Sequence, residues 1–212
     1  MIKNLIWDFD GSLFDTYPLM VEIFQSALVE FGHTASREQI LFLMKDTLGK
    51  AVEHYLELGV GEGFYRLFLL REEAADPSLQ PPFPYARRIC LKVRDRGGKN
   101  LIITHRSRST VMKLLYHHDM ASLFSEIITK ESGYRRKPDP EAFVAAIASH
   151  RLIAEETLSI GDRDLDILAA RAAGTRTCFF SQNGFSPSIP VDLIIHGLEE
   201  LESFMDSDGS SK

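Results

Sequence analysis

Ile2-Lys3-Asn4-Leu5-Ile6-Trp7-Asp8-Phe9-Asp10-Gly11-Ser12-Leu13 carries a short apolar run that ends abruptly in two acids and a glycine. A continuous apolar run of this length reads as a strand buried on both faces, with its C-terminal end at Asp8. Gly11 then permits a tight turn. Two carboxylates two residues apart share one face of an extended backbone, where they repel each other and resist burial. An isolated Asp-x-Asp is ordinarily a solvated turn or a helix cap. Its meaning here depends on what the rest of the chain brings beside it.

Outward from this strand the period of the pattern changes. Leu19, Met20, Ile23, Phe24, Ala27, Leu28 and Phe31 recur at helical spacing, and Gly32 stops that helix. Further helices are predicted at 36–45 behind a Ser36 cap, at 51–58 and at 62–75, with no strand signal among them. Pro77, Pro81, Pro82 and Pro84 then mark a linker. Beyond it, helices and strands alternate. Helices fall at 84–96, 107–117, from Pro138-Asp139-Pro140, from 162 to Gly174 and at 198–205, and strands at 101–103, 127–128, 157–160, 177–180 and 193–195. The expected fold is therefore α/β, a Rossmann-like parallel sheet flanked by helices. A small all-α domain over 17–81 is inserted after the first strand, the core comprises 1–16 and 82–206, and 207–212 reads as a flexible tail.

In open α/β sheets, ligands bind outside the carboxyl ends of the strands. Three of the expected strands end there in polar groups: Asp8-Phe9-Asp10, Thr104-His105-Arg106 and Gly161-Asp162. Lys137, just before Pro138, can join them, and Asp166 adds a carboxylate four residues after Asp162. Each feature alone is bland. The three strand ends together with Lys137, in one chain, make a convergent site. An oxygen-only carboxylate set suits Mg²⁺, and the scarcity of Cys and His nearby argues against zinc.

Composition narrows the partners. The chain has 212 residues, 44% apolar, with a net charge of −6. That charge gives no overall attraction to nucleic acid or to an anionic membrane, although a bound metal can reverse the field locally. Cys90 and Cys178 sit in apolar stretches and read as buried thiols. No segment approaches the ~20 apolar residues that span a bilayer, and the first apolar run is too short for a signal peptide. A cytoplasmic protein is expected. Nothing in the composition dictates an oligomeric state.

These motifs resemble the haloacid dehalogenase superfamily, in the branch with a helical cap after the first strand (subfamily IA), and within it the phosphoglycolate-phosphatase-like members. The resemblance rests on Asp8-Phe9-Asp10-Gly11-Ser12-Leu13-Phe14-Asp15-Thr16, Ile102-Ile103-Thr104, Arg136-Lys137-Pro138-Asp139-Pro140 and Ile160-Gly161-Asp162-Arg163-Asp164-Leu165-Asp166-Ile167, with Ala172-Ala173-Gly174 downstream. Ser12 stands where the family usually has Thr or Val.

The resemblance implies a Mg²⁺-dependent phosphatase with Asp8 as nucleophile and Asp10 as general acid and base. Thr104 would bind a phosphoryl oxygen and Lys137 would offset its charge. The metal would be held by Asp8, the Asp10 backbone carbonyl and Asp162, with Asp166 nearby. Backbone N–H groups from Phe9 to Gly11 would cradle the phosphoryl oxygens. His105, Arg106 and, from the cap, Lys50 are candidate substrate contacts, and Arg163 is weighed beside them. A dehalogenase needs neither Asp10 nor the metal, so those features favour a phosphatase. A phosphomutase or other phosphoryl transferase shares both acids and stays open. A phospho-signalling receiver is opposed by the Asp-x-Asp-Gly turn, and a silent phosphate-binding domain by the complete set of acids and lysine. The implied substrate is a small phosphate ester: phosphoglycolate, a sugar phosphate or a nucleotide.

Overall fold

The first strand, β1 (Asn4–Trp7), is buried at every position because both faces of its sheet are covered. Successive side chains point to opposite faces, so a strand between two helical layers is mostly apolar, and the one polar residue of β1, Asn4, accepts the Lys99 N–H at 3.0 Å. Leu5 and Trp7 enter one core cluster and Ile6 another. A computed structural model describes residues 1–182 and 184–209, with the backbone alone for 207–209.

The sheet is parallel and six-stranded, built with β2 (Asn100–Ile103), β3 (Glu126–Ile128), β4 (Thr157–Gly161), β5 (Arg176–Phe180) and β6 (Leu193–Ile195) in the order β3-β2-β1-β4-β5-β6. Central β1 pairs with β2 (Trp7 opposite Ile102) and with β4 (Trp7 opposite Ile160). The order reverses at β1, which places the topological switch point there. The strands predicted to carry polar ends are thus adjacent.

The chain divides into two compact units, Met1–Asp15 with Pro81–Lys212, and Thr16–Gln80. In the sheet unit, α5 (Ala86–Asp95), α6 (Arg108–His117) and α9 (Leu198–Gly209) pack residues such as Ile89, Leu114 and Leu201 against one face. On the other face, α7 (Glu141–His150) and α8 (Asp164–Ala172) contribute Phe143, Ala146, Ala169 and Ala170. Cys90 and Cys178 are buried free thiols, and burial pushes both well above the usual thiol range.

The second unit contains α1 (Tyr17–Glu30), α2 (Arg37–Asp46), α3 (Leu48–Glu57) and α4 (Gly63–Ala74). Phe24 lies at the centre of its core, with ring centroids of Tyr55, Phe64 and Phe68 at 5.6, 5.4 and 5.5 Å. Such tilted and edge contacts suit the aromatic quadrupole.

Three element boundaries differ from expectation. Helix α3 begins at Leu48 rather than 51, because Thr47 Oγ1 accepts the Lys50 N–H at 3.0 Å and caps it there. The helix expected from Pro138 begins at Glu141, with Pro140 at its cap position, and the Lys137–Pro138 peptide is cis. Helix α9 reaches Gly209, so of the tail expected at 207–212 only 210–212 falls outside the described residues. Among the described residues, no helix is long and apolar enough to cross a membrane.

Candidate active site

Asp8 follows the last residue of β1, and its N–H donates to the Ile160 carbonyl of β4 at 2.8 Å. The chain then turns tightly. Gly11 has φ of +74°, a region that costs glycine nothing, and its N–H donates to the Phe14 carbonyl. The Phe9 and Phe14 rings stack at 4.6 Å in the core, so Phe9 presents backbone and not ring to the strand ends. Ser12 is fully buried, and among the described residues its hydroxyl has no hydrogen-bond partner.

Asp8, Asp162 and Asp166 form one buried cluster, each offering a carboxylate oxygen within 4.8 Å of the others. Asp162 follows the end of β4, and Asp166 lies in the first turn of α8. Gly161 allows their approach: a Cβ at that position would stand 2.3 Å from the Asp166 Cβ.

Lys137 enters the cluster from the loop before α7. Its Nζ lies 2.6 Å from Asp8 Oδ1 and 2.5 Å from Asp166 Oδ1, and donates to the Ile103 carbonyl at 2.9 Å. Its side chain is 1% exposed, so the ammonium depends on these partners in place of water. Arg163 adds a second cation, with nitrogens 3.6 Å from Asp8, 3.7 Å from Asp162 and 3.3 Å from Asp166.

The balance of burial and charge separates the two acids that Lys137 bridges. Burial, and then the Asp166 carboxylate, push Asp8 from 3.8 up to about 7, against the pull of Lys137. Burial also raises Asp166, but Lys137 and Arg163 outweigh it and hold that carboxyl below the usual range. For Lys137, burial pulls downward, and Asp166 with Asp8 more than offset it.

Three carboxylates therefore face two cations. Asp8 Oδ2 is buried and accepts no hydrogen bond among the described residues. A surplus of carboxylates, one of them with a buried oxygen that accepts no hydrogen bond, is a donor set that a metal ion fits.

The other residues expected at the site fall around this cluster. Thr104, one residue beyond β2, is buried, and its Oγ1 accepts the Arg106 N–H at 3.1 Å. Asp10 stands outside the carboxylate cluster, and its Oδ1 accepts from Arg106 Nη1 at 2.6 Å. His105 Nε2 accepts the Lys137 backbone N–H at 3.0 Å. Burial, then Lys137 and Arg163, lower this imidazole to about 3, so it is neutral and suited to accept. Lys50 belongs to the helical unit, where its exposed Nζ lies 2.6 Å from Asp46 on α2.

Two contributors were not read from sequence. Gly161 matters through the space it leaves, which needs the packing distance of α8 against β4. The Ile103 carbonyl matters because it ends β2 beside Lys137. Neither carries a side-chain signal.

The model of the family described as haloacid dehalogenase-like hydrolase matches residues 5–180. The chain belongs to that family. Among its relatives, the Pyrophosphatase PpaX of Anoxybacillus flavithermus is 30% identical, over 83% of this chain and 82% of that protein. The Phosphoglycolate phosphatase of Vibrio cholerae is 26% identical, over 82% of this chain and 81% of that one. A subfamily IA hydrolase of the same superfamily from Geobacter sulfurreducens shares the fold, with a TM-score of 0.73 at 22% identity, covering 96% of this chain and 100% of that chain. The protein is thus an enzyme of the haloacid dehalogenase-like hydrolase class, and its matched curated relatives carry phosphatase names.

Proposed function

We propose that this hydrolase is a Mg²⁺-dependent phosphatase of small phosphate esters that works through an aspartyl-phosphate. The observation that carries the reading is Lys137 held between Asp8 and Asp166, with Asp162 in the same buried cluster and Asp10 outside it. One carboxylate is then available for attack and another for proton transfer, with a fixed cation beside the first.

In the first step an Asp8 oxygen attacks phosphorus and the bond to the ester oxygen breaks, while Asp10 gives that oxygen a proton. In the second, Asp10 takes a proton from water, whose oxygen attacks phosphorus and releases inorganic phosphate and the Asp8 carboxylate. Lys137 offsets charge on the phosphoryl oxygens, and Thr104 donates its hydroxyl proton to one of them while accepting the Arg106 N–H. Asp8, Asp162 and the Asp10 carbonyl would hold Mg²⁺, with Asp166 orienting from nearby. The ion supplies Lewis-acid charge neutralisation at the phosphoryl group.

The sheet unit is the catalytic core in this reading, and the helical unit its cap. The names of the relatives put phosphoglycolate and a phosphoanhydride among the substrates to try, beside sugar phosphates and nucleotides.

Hydrolysis of p-nitrophenyl phosphate and of a metabolite-phosphate panel, with Mg²⁺ and with chelator, tests this. The wild type is expected to turn over only with the metal, and Asp8→Asn to lose at least about 10³-fold. An Asp8→Asn variant as active as the wild type would falsify the reading.

A further inference from the structure

Arg106 is buried far more completely than an arm reaching for substrate requires. Its side chain is 3% exposed, yet it carries a full charge at the end of a long, flexible stem. Its guanidinium and its backbone N–H are engaged by Asp10, Thr110 and Thr104. Nη1 donates to Asp10 Oδ1 at 2.6 Å, and Nε donates to Thr110 Oγ1 at 3.0 Å. The backbone N–H donates to Thr104 Oγ1 at 3.1 Å, which ties the base of the side chain to the strand end. The guanidinium carbon also lies 5.9 Å from the Phe9 ring centroid.

Thr110 is itself held in place. Its hydroxyl donates to the Ser107 carbonyl at 3.1 Å, and its backbone N–H faces the Ser107 Oγ that caps α6. The guanidinium plane is therefore set by the first turn of α6 at one edge, and it engages Asp10 at the other. Asp10 follows β1 by three residues, in the turn that a backbone bridge to Phe14 closes. Arg106, in the segment leading into α6 and braced by Thr110 of its first turn, fixes a cation beside that carboxylate.

We infer that Arg106 is a positioning residue for Asp10, fixing the carboxylate through which protons enter and leave, and is not a substrate contact. The inference rests on the reading of Asp10 as general acid and base. Proton transfer demands hydrogen-bond reach to the reacting oxygen. A charge-assisted bond to one carboxylate oxygen removes the torsional freedom that would blur the position of the other. Displacement of a reacting group by about 1 Å costs on the order of 10²-fold in rate.

Two esters of similar size separate this role from others. Phenyl phosphate needs its leaving oxygen protonated, whereas the p-nitrophenyl ester departs as the anion. In Arg106→Met, kcat/KM for phenyl phosphate is expected to fall roughly 10- to 100-fold, and for p-nitrophenyl phosphate less than about 3-fold. Arg106→Lys, which keeps the charge and loses the fork, should shift the same ratio less, and it provides a folded protein if the Met variant fails. In an Asp10→Asn background, Arg106→Met should add nothing to the phenyl phosphate loss.

Equal losses on both esters in any folded Arg106 variant overturn the inference, as does an additive loss in the Asp10→Asn background. A higher KM with unchanged kcat would instead make Arg106 a substrate contact. All three outcomes leave the Asp8→Asn result standing, so they are distinct from failure of the phosphatase reading. An Asp8→Asn protein as active as the wild type on both esters removes that reading and this inference together.

Discussion

Asp8 and Asp166 share one lysine and respond to it in opposite senses. Asp8 lies above the ordinary carboxylate value, at about 7, because burial and then Asp166 outweigh Lys137. Its contribution to folding is complete below pH 4 and is lost as the pH rises through about 7. Asp166 lies below its ordinary value, so its contribution is present above pH 4 and is lost as the pH falls. Of this pair, Asp8 is the one that changes state between pH 5 and pH 8, and metal binding requires its charged form. In chelator, stability should therefore decline from pH 5.5 to pH 8. The rise in Tm produced by Mg²⁺ should grow over the same interval, as thermal melts across pH will show. Asp8→Asn should flatten both trends, and a Mg²⁺ effect that shrinks with pH would contradict the assignment. At this scale the sequence was informative where residue type and strand end coincide, as at Asp8, Thr104 and Asp162, and at Lys137 through its place before Pro138. It offered His105 only as a candidate substrate contact, whereas its role as acceptor for the Lys137 N–H follows from burial of a neutral ring.

Elements bring these residues together through the close approach of α8 to the end of β4. Gly161→Ala would place its Cβ 2.3 Å from the Asp166 Cβ and 3.0 Å from its Cγ, so the first turn of α8 must move. Overpacking of this kind costs about 1–3 kcal/mol. The variant should lose that much in urea unfolding, and calorimetric titration should show weaker Mg²⁺ binding. Unchanged affinity would mean that Asp166 has no part in holding the ion. Strand positions were legible because a strand covered on both faces takes apolar residues or small hydroxyls that find a partner, as in β4, where Leu158 and Ile160 alternate with Thr157 and Ser159 and the Ser159 hydroxyl bonds that of Thr175. Helix starts were less so. Thr47 is as good a cap as Ser36, but Gly49-Lys50 interrupts the helical pattern just after it, so the sequence alone points to a start at 51. Pro138 resembled a first-turn proline, while the helix waits for Glu141, where the Asp139 carboxylate accepts the N–H at 3.0 Å.

Over the whole molecule, the apolar side chains fall into separate clusters, two on the faces of the sheet and one inside the helical unit. Phe24→Ala empties the centre of the last, and such truncations cost about 3–5 kcal/mol. Hydrogen exchange should show protection lost across 16–80 and kept in the strands. Uniform loss would mean that the two units unfold as one. The insertion was legible because helical periodicity runs without a strand from Pro18 to the proline-rich stretch. The identity of β1 as the central strand was not, since pairing partners leave no local trace. That centrality governs how the molecule comes into being. Leu5 is among the first residues a ribosome would deliver from this stretch, yet its sheet neighbours are Asn100 and Leu158. At ~5–20 residues per second, the strand that leads into Asp8 waits on the order of ten seconds or more for its second neighbour. Throughout that wait its backbone edges and apolar faces belong to an incomplete sheet, and the carboxylate cluster cannot exist until Asp162 and Asp166 have followed. The proposed catalytic centre is thus among the last parts of the fold to be assembled, although Asp8 is made long before the acids that complete it.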